Sequence, residues 1–312
     1  MRFRELLSKN HIPVMLREVV EYLNIDSSGV YVDATLGTGG HSHAILNKLT
    51  SGTLYSFDQD IKAIQQCQQR FINYQNICLI NKNFSYLYDE LLARKVTMIN
   101  GIVFDLGLSL LQINDNTRGF SYLRNDVLDM RMNCNNPVTA QYILNHYSLE
   151  DLQKIFQNYG EEPKSRMIAK EIIKNRPLYT TFDLVKITDK FKNFRNNRGH
   201  SAKRVFQALR IEVNQELKCL KLALEQSLKL LKKGGIILVI SFNSLEDRLV
   251  KHFFKHNSSH NLVWSSLPIQ NKDLPIPILR IINKKVIRPS SREQDFNPCS
   301  HSAKLRVAIK NI

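Results

Sequence analysis

Residues 30–41, Val-Tyr-Val-Asp-Ala-Thr-Leu-Gly-Thr-Gly-Gly-His, constrain this chain more than any other stretch. Val30, Tyr31 and Val32 are strand formers and Asp33 closes the run. Three glycines follow, and residues 42–48 read as helix. A strand that turns through glycines into a helix start can cradle a nucleotide-like ligand. Glycine lets the backbone approach closely, and the helix start offers unpaired N–H groups. The same turn also serves as a plain βα connection, so alone it does not define a ligand site. Residues 53–57 form a second strand that ends at Asp58. A carboxylate about twenty residues past the first glycine is where a ribose anchor belongs. Asp58 or Asp60 would equally suit a cap for the helix that begins near Ile61. The two roles are compatible, with Asp60 capping and Asp58 facing a ribose.

The rest of the chain extends this βαβ unit. Pro13 keeps Ile12 extended before an amphipathic helix over 15–23, with Leu16, Val19, Val20 and Leu23 on one face. A polar helix over 61–74 and a third strand over 77–80 come next, and Asn83-Phe-Ser85 leaves that strand's C-terminal end. Phe84 there suits either the flank of an adenine ring or the core. A fourth strand over 99–104 delivers Asp105-Leu-Gly-Leu-Ser109, which places a carboxylate, a glycine and a hydroxyl at a strand tip. Asp105 equally suits a purely structural role, tying down its loop by bonding backbone N–H groups.

The βα rhythm then stops. Short helices are expected over 139–144, 149–159, 164–174 and 182–191. Residues 190–204 are densely basic with interleaved Phe, which suits phosphate contacts and base stacking, or else a solvated loop. One long helix is expected over 205–231, closed by Lys232-Lys-Gly-Gly235. A buried strand over 236–240, a helix after 247 and a closing strand pair over 278–286 and 304–309 restore the sheet, with polar loop over 288–300 between the pair. The expected fold is therefore α/β: a Rossmann-like sheet domain, 1–113 with 214–312, carrying an inserted, mostly helical domain over 114–213.

Composition narrows the partners. Forty-four Lys and Arg against 28 acids give a net charge of +16, a field that favours polyanions such as nucleic acid. The alternative is drift toward Lys, Asn and Ile. Five cysteines without a Cys-x-x-Cys pair read as reduced thiols of a cytoplasmic protein, and no zinc or other metal site is expected. No apolar run approaches the ~20 residues of a membrane span, and the first ten residues are not a secretory signal.

The glycine spacing lacks the third glycine of Gly-x-Gly-x-x-Gly, which leaves NAD and S-adenosylmethionine both open and disfavours the dinucleotide. Beyond this, the chain resembles the bacterial ribosomal small-subunit (16S) rRNA cytosine-N4 methyltransferase family (RsmH/MraW) over nearly its whole length. The matching blocks are His11-Ile-Pro-Val14, Gly37-Thr-Gly-Gly-His-Ser42, Asp105-Leu-Gly-Leu-Ser109, Arg118-Gly-Phe-Ser121 and Leu128-Asp-Met-Arg-Met132. Phe206-Gln-Ala-Leu-Arg-Ile-Glu-Val-Asn214, Ile240-Ser-Phe-Asn-Ser-Leu-Glu-Asp-Arg248 and Ser302-Ala-Lys-Leu-Arg306 complete them.

The resemblance implies a class I methyltransferase that uses S-adenosylmethionine to methylate a cytidine of the decoding region. It implies donor contacts from Gly39, Gly40, His41, Asp58, Phe84, Asp105 and Gln112. The chain departs from the family at Leu110 and Leu111, usually Ser and Pro, and at Asn243, usually His. The N4 lone pair of cytosine is delocalised into the ring, so an acceptor near the amino hydrogens is needed, with Asp105 and Ser109 the candidates. Arg198, Lys203 and Arg204 are the candidate RNA contacts. Two other classes stay open, an NAD-dependent oxidoreductase and a non-catalytic RNA-binding protein. Whether the substrate is free rRNA or the small subunit, and whether the chain dimerises, the sequence leaves open.

Overall fold

The computed structural model describes residues 12–192, 200–258 and 276–312, and strand and helix alternate from its start. Helix α1 (Leu16–Leu23) leads to β1 (Val30–Asp33), α2 (Gly40–Leu46), β2 (Thr53–Phe57) and α3 (Ile61–Arg70). Then come β3 (Ile77–Ile80), α4 (Leu87–Ala93) and β4 (Ile99–Asp105). A run of helices follows: α5 (Leu110–Asn114), α6 (Ala140–His146), α7 (Leu149–Asn158), α8 (Ser165–Lys174) and α9 (Thr181–Asp189). It continues with α10 (Lys203–Asn214) and α11 (Glu216–Leu230). The sheet resumes with β5 (Leu231–Ser241), α12 (Ser244–Ser258), β6 (Leu279–Ile281), α13 (Ser291–Phe296) and β7 (Lys304–Lys310).

The chain divides into two compact units, Met1–Gly107 with Cys219–Ile312, and Leu108–Lys218. The first is the sheet unit, with strand order β3-β2-β1-β4-β5-β7-β6. Strands β1 to β5 run parallel, and β7 is antiparallel to both β5 and β6. The chain winds outward from β1 through β2 to β3, then crosses to the other side of β1 with β4. Such a reversal opens a crevice at the C-terminal strand ends, where ligands bind in open α/β sheets.

Both faces of the sheet are covered, which is why its strands read as continuous apolar runs. Val32, Ile102, Phe104, Ile237 and Val239 pack on one face with residues of α4, α11 and α12. Tyr31, Val103, Leu238 and Ile240 pack on the other with residues of α1, α2 and α3. Each such fully buried side chain contributes about 1.5–3 kcal/mol.

The structure corrects three expectations. The helix expected over 205–231 is two helices, because Gln215 sits in the left-handed region at φ 50° and breaks the run. Residues 232–235 do not close a helix. Strand β5 already pairs at Leu231 with Ile99, then slips register before Gly101 meets Ile236, with Gly234 at φ 79°. The carbonyls of Leu228 and Leu231 are capped from the other end of the chain, by Lys310 Nζ at 2.7 Å each. Residues 288–300 are not all loop, since Ser290 caps α13 by accepting from Glu293 N–H at 3.2 Å. That Ser-x-x-Glu spacing is a helix-start signature.

The second unit is helical around its own core, which includes Phe156, Leu152, Ile168, Ile172, Leu184 and Leu209. It begins before residue 114 because Leu108 packs on this core and Arg124 bonds the Ile113 carbonyl. It runs past 213 because Arg210 Nε pairs with Glu216 Oε1 at 2.9 Å. Arg118, 3% exposed, donates to the carbonyls of Arg131 and Met132 at 2.7 and 3.1 Å. Asn214 accepts from Met132 N–H at 2.7 Å and donates to Met130 O at 2.8 Å. Three separate sequence blocks thus form one buried hydrogen-bonded frame.

Candidate methyl-donor site

The C-terminal ends of β1, β2 and β4 bring together most of the residues singled out in the sheet unit. The loop after β1 is stitched to both neighbouring strands, Ala34 N–H to Val103 O at 2.9 Å and Leu36 N–H to Phe57 O at 2.8 Å. Thr35 Oγ1 accepts from Asp105 N–H at 2.7 Å. Fully buried Asp33 pins both ends of the loop, accepting from Thr35 N–H at 3.1 Å and from Ser42 Oγ at 2.6 Å. Burial raises the Asp33 carboxyl above its ordinary range, although His41, Ser42 and the Thr35 amide pull the other way.

Gly37 and Gly39 hold φ of 52° and 80°, left-handed values that favour glycine. A Cβ on Gly39 would lie 2.8 Å from the Phe71 ring, and one on Gly40 would run into Pro13. The glycines thus let the loop fold tightly between α3 and the 12–15 segment.

Asp58 sits just past β2 and accepts from two backbone amides, Gly37 N–H at 2.9 Å and Asp60 N–H at 2.9 Å. It is partly exposed. Burial pushes its carboxyl up to about 7, against those two hydrogen bonds. Asp60 caps α3 through Lys62 N–H at 3.1 Å. The division of labour expected between the two acids therefore holds on the Asp60 side. Each Asp58 oxygen keeps a lone pair beyond its amide partner.

His41 opens α2 and is 5% exposed, yet among the described residues its Nδ1 has no hydrogen-bond partner. Its Nε2 lies 3.4 Å from Asp105 Oδ2, and Asp105 Oδ1 is a buried acceptor with no partner. Burial would lower the His41 imidazole, but Asp105, with Asp33 and Glu293 farther away, outweighs it and raises the ring above its ordinary value. Buried polar atoms are normally paired. Two unpaired ones, His41 Nδ1 and Asp105 Oδ1, beside a glycine loop fit a polar ligand.

Phe84 lies in a short turn after β3 and meets Phe104 edge-on, ring centres 5.8 Å apart at 84°. It is half-buried against the sheet's core, so the core reading holds for at least part of the ring. Asn243 and Glu246 cap the start of α12, with Asn243 Oδ1 accepting from Glu246 N–H at 2.9 Å and Glu246 Oε2 from Phe242 N–H at 2.9 Å.

Ser109 and Gln112 belong to the helical unit. They form a capping box at α5, Ser109 Oγ accepting from Gln112 N–H at 3.3 Å and Gln112 Oε1 from Ser109 N–H at 3.2 Å. The basic stretch over 190–204 is not one loop: Lys203 and Arg204 open α10. Lys203 is exposed, while Arg204 Nη1 donates to Glu161 O at 3.2 Å and lies 3.9 Å from Glu162 Oε2. Arg198 lies outside the described residues. Asp33 and Thr35 shape the loop after β1, although the sequence alone does not single them out. Asp33 carried the one available signal, an acid closing a buried strand.

This sheet order, with its reversed seventh strand and a polar crevice at the β1/β4 reversal, is that of a class I S-adenosylmethionine-dependent methyltransferase. Residues 8–311 match the model of the MraW methylase family. Three relatives bear the name ribosomal RNA small subunit methyltransferase H. One from Onion yellows phytoplasma is 54% identical, covering 97% of this chain and 98% of its own. A second, from Acholeplasma laidlawii and numbered 1, is 49% identical over 96% and 99%. The third, from Caldicellulosiruptor bescii, is 44% identical over 96% and 99%. The chain belongs to the MraW methylase family, is a methyltransferase, and takes S-adenosylmethionine as its methyl donor. Membership in that family leaves the dinucleotide oxidoreductase and the non-catalytic binder without support. Among the described residues no helix is long and apolar enough to cross a membrane.

Proposed function

We propose that the chain methylates the exocyclic N4 amine of a cytidine in the decoding region of 16S rRNA, with rRNA or the small ribosomal subunit as its partner. The full-length identity to relatives named for small-subunit rRNA carries this reading. The net charge of +16 supports a polyanionic substrate.

The donor supplies a methyl group on a cationic sulfonium. Asp58 would hold the ribose hydroxyls through its remaining lone pairs, charge-assisted when ionised. The glycines let the backbone approach, Phe84 offers an apolar flank, and the unpaired atoms of His41 and Asp105 bond the donor's polar end. Ser109 is the proposed acceptor for an amino hydrogen. The cap uses one of its two oxygen lone pairs, and the other suffices for this role. Gln112 would hold the Ser109 cap at the start of α5. Lys203, with Arg198 and Arg204, would contact phosphates.

The test is methyl transfer from labelled donor to deproteinised rRNA and to intact small subunits, followed by nucleoside analysis. N4-methylcytidine at one position supports the reading. Label on another base or another atom overturns it.

A further inference from the structure

Two segments nearly three hundred residues apart in sequence meet beside the glycine loop. Glu293, on α13, accepts from Met15 N–H through Oε1 at 2.6 Å. Asn297, at the end of the same helix, donates from Nδ2 to Ile12 O at 2.9 Å. Between these two contacts Pro13 is seated on Gly40, so closely that a Cβ on that glycine would collide with it. Val14 and Met15 are buried in the same core as Leu36 and Ile45, which bracket the loop. Met15 holds φ 53°, a left-handed value costly for a side chain this size, and its amide is the one Glu293 takes.

We propose that Glu293 is a positioning residue for the methyl-donor site: from α13 it clamps the 12–15 segment onto Gly40. The inference rests on the reading of the glycine loop as the donor site. It gives two otherwise unassigned stretches one shared task, Ile12-Pro-Val14 and α13 with its flanking caps Ser290 and Asn297. Burial raises the Glu293 carboxyl above its ordinary range, against the Met15 amide.

Two substitutions separate clamp from charge. Glu293→Gln keeps an oxygen for Met15 N–H and removes the charge. Glu293→Ala removes both. Donor binding is measured by calorimetry on the full chain from pH 5.5 to 8.5, beside thermal melts of each variant. Glu293→Ala should weaken donor binding about tenfold, the order of one lost charge-assisted hydrogen bond. Glu293→Gln should restore binding to within roughly twofold of the parent and melt with it, because its side-chain oxygen still accepts from Met15 N–H. Parental affinity in Glu293→Ala, or a Glu293→Gln chain that melts with the parent yet binds donor as weakly as Glu293→Ala, overturns the proposal while leaving the donor site intact. A parent chain that binds no donor at any pH overturns the donor site and this inference together. If Glu293→Ala does not fold, Glu293→Asp, one methylene too short to hold the Met15 amide, decides in its place, and parental affinity there overturns the proposal.

Discussion

Deeply buried polar groups in the two units are completed to different degrees. In the helical unit, Arg118 and Asn214 are almost sealed, and both are tied to several backbone partners. In the sheet unit, His41 is as deeply buried, yet among the described residues its Nδ1 has no partner and its Nε2 has only Asp105 Oδ2 at 3.4 Å, while Asp105 Oδ1 is also unpaired. A saturated buried group holds a fold together, since leaving it unpaired would cost its full desolvation. An unsaturated one is tolerated where a ligand completes it. The contrast separates scaffold from site more sharply than either motif does, because the family match, residues 8–311, runs through both regions.

The largest expected effect follows from the saturated side. Arg118→Ala strands the Arg131 and Met132 carbonyls and leaves Asp115, 3.5 Å away, without that cation. Breaking a buried pair of this kind costs about 3–5 kcal/mol. Urea denaturation should show the loss directly. A change below 1 kcal/mol, on the order of a surface substitution, would mean that saturation here does not matter for stability.

In the sheet unit, Asp58→Ala should weaken donor binding by about 1.5–3 kcal/mol and lower stability by about 1–3 kcal/mol, because it strands the Gly37 and Asp60 amides. Calorimetry giving parental affinity would remove Asp58 from the site. Its pH dependence has a definite sign. With the folded carboxyl at about 7, the chain binds an extra proton between the ordinary Asp range and neutrality. Stability from this group therefore falls as pH rises through that window, because the folded state holds the proton the unfolded state releases. Donor affinity should run the other way and rise from pH 6 to 8, as the ionised form accepts ribose hydroxyls. Asp58→Asn should abolish the Asp58 part of both trends.

Ser109 tests whether a capping residue also serves the reaction. Ser109→Ala should cost about 0.5–2 kcal/mol of local helix stability as a lost cap. If it also accepts from the target amine, single-turnover methylation at saturating donor should slow roughly 10- to 100-fold. Donor affinity should change less than the rate, since a contact made in the transition state appears in the rate constant. A parental rate would restrict Ser109 to its cap.

How much of this was legible follows the same division. Strand-forming residues, glycines and Asp58 lie in one continuous stretch, so the βαβ unit and its crevice could be read from local pattern. The strand alternation was visible because both sheet faces are covered. The break at Gln215 was not, because apolar spacing continues through it and only a backbone angle marks it. Nor was the meeting of Glu293 with Met15, which depends on where the chain ends return in space. The Ser290 cap is legible in its Ser-x-x-Glu spacing, although the polar composition around it reads as loop. Ser109 looked catalytic because a hydroxyl at a strand tip and a helix cap have the same sequence signature.

The smallest effect concerns the basic end of α10, where neighbouring cations differ in freedom. Lys203 is exposed, whereas Arg204 already donates to the Glu161 carbonyl and faces Glu162. Each phosphate contact releases counterions, so losing one reduces the salt slope of RNA binding by about one unit. Lys203→Gln should show that full change with unaltered donor affinity and melting. Arg204→Gln should show a smaller slope change and a slightly lower melting temperature, because part of its hydrogen-bonding capacity is spent inside the fold. Filter binding of rRNA across a salt series measures both. Equal slope losses would mean that Arg204 leaves Glu161 and Glu162 for a phosphate on binding. Untouched slopes in both variants would move the RNA contact to another face of the helical unit, and with it the meaning of the basic stretch.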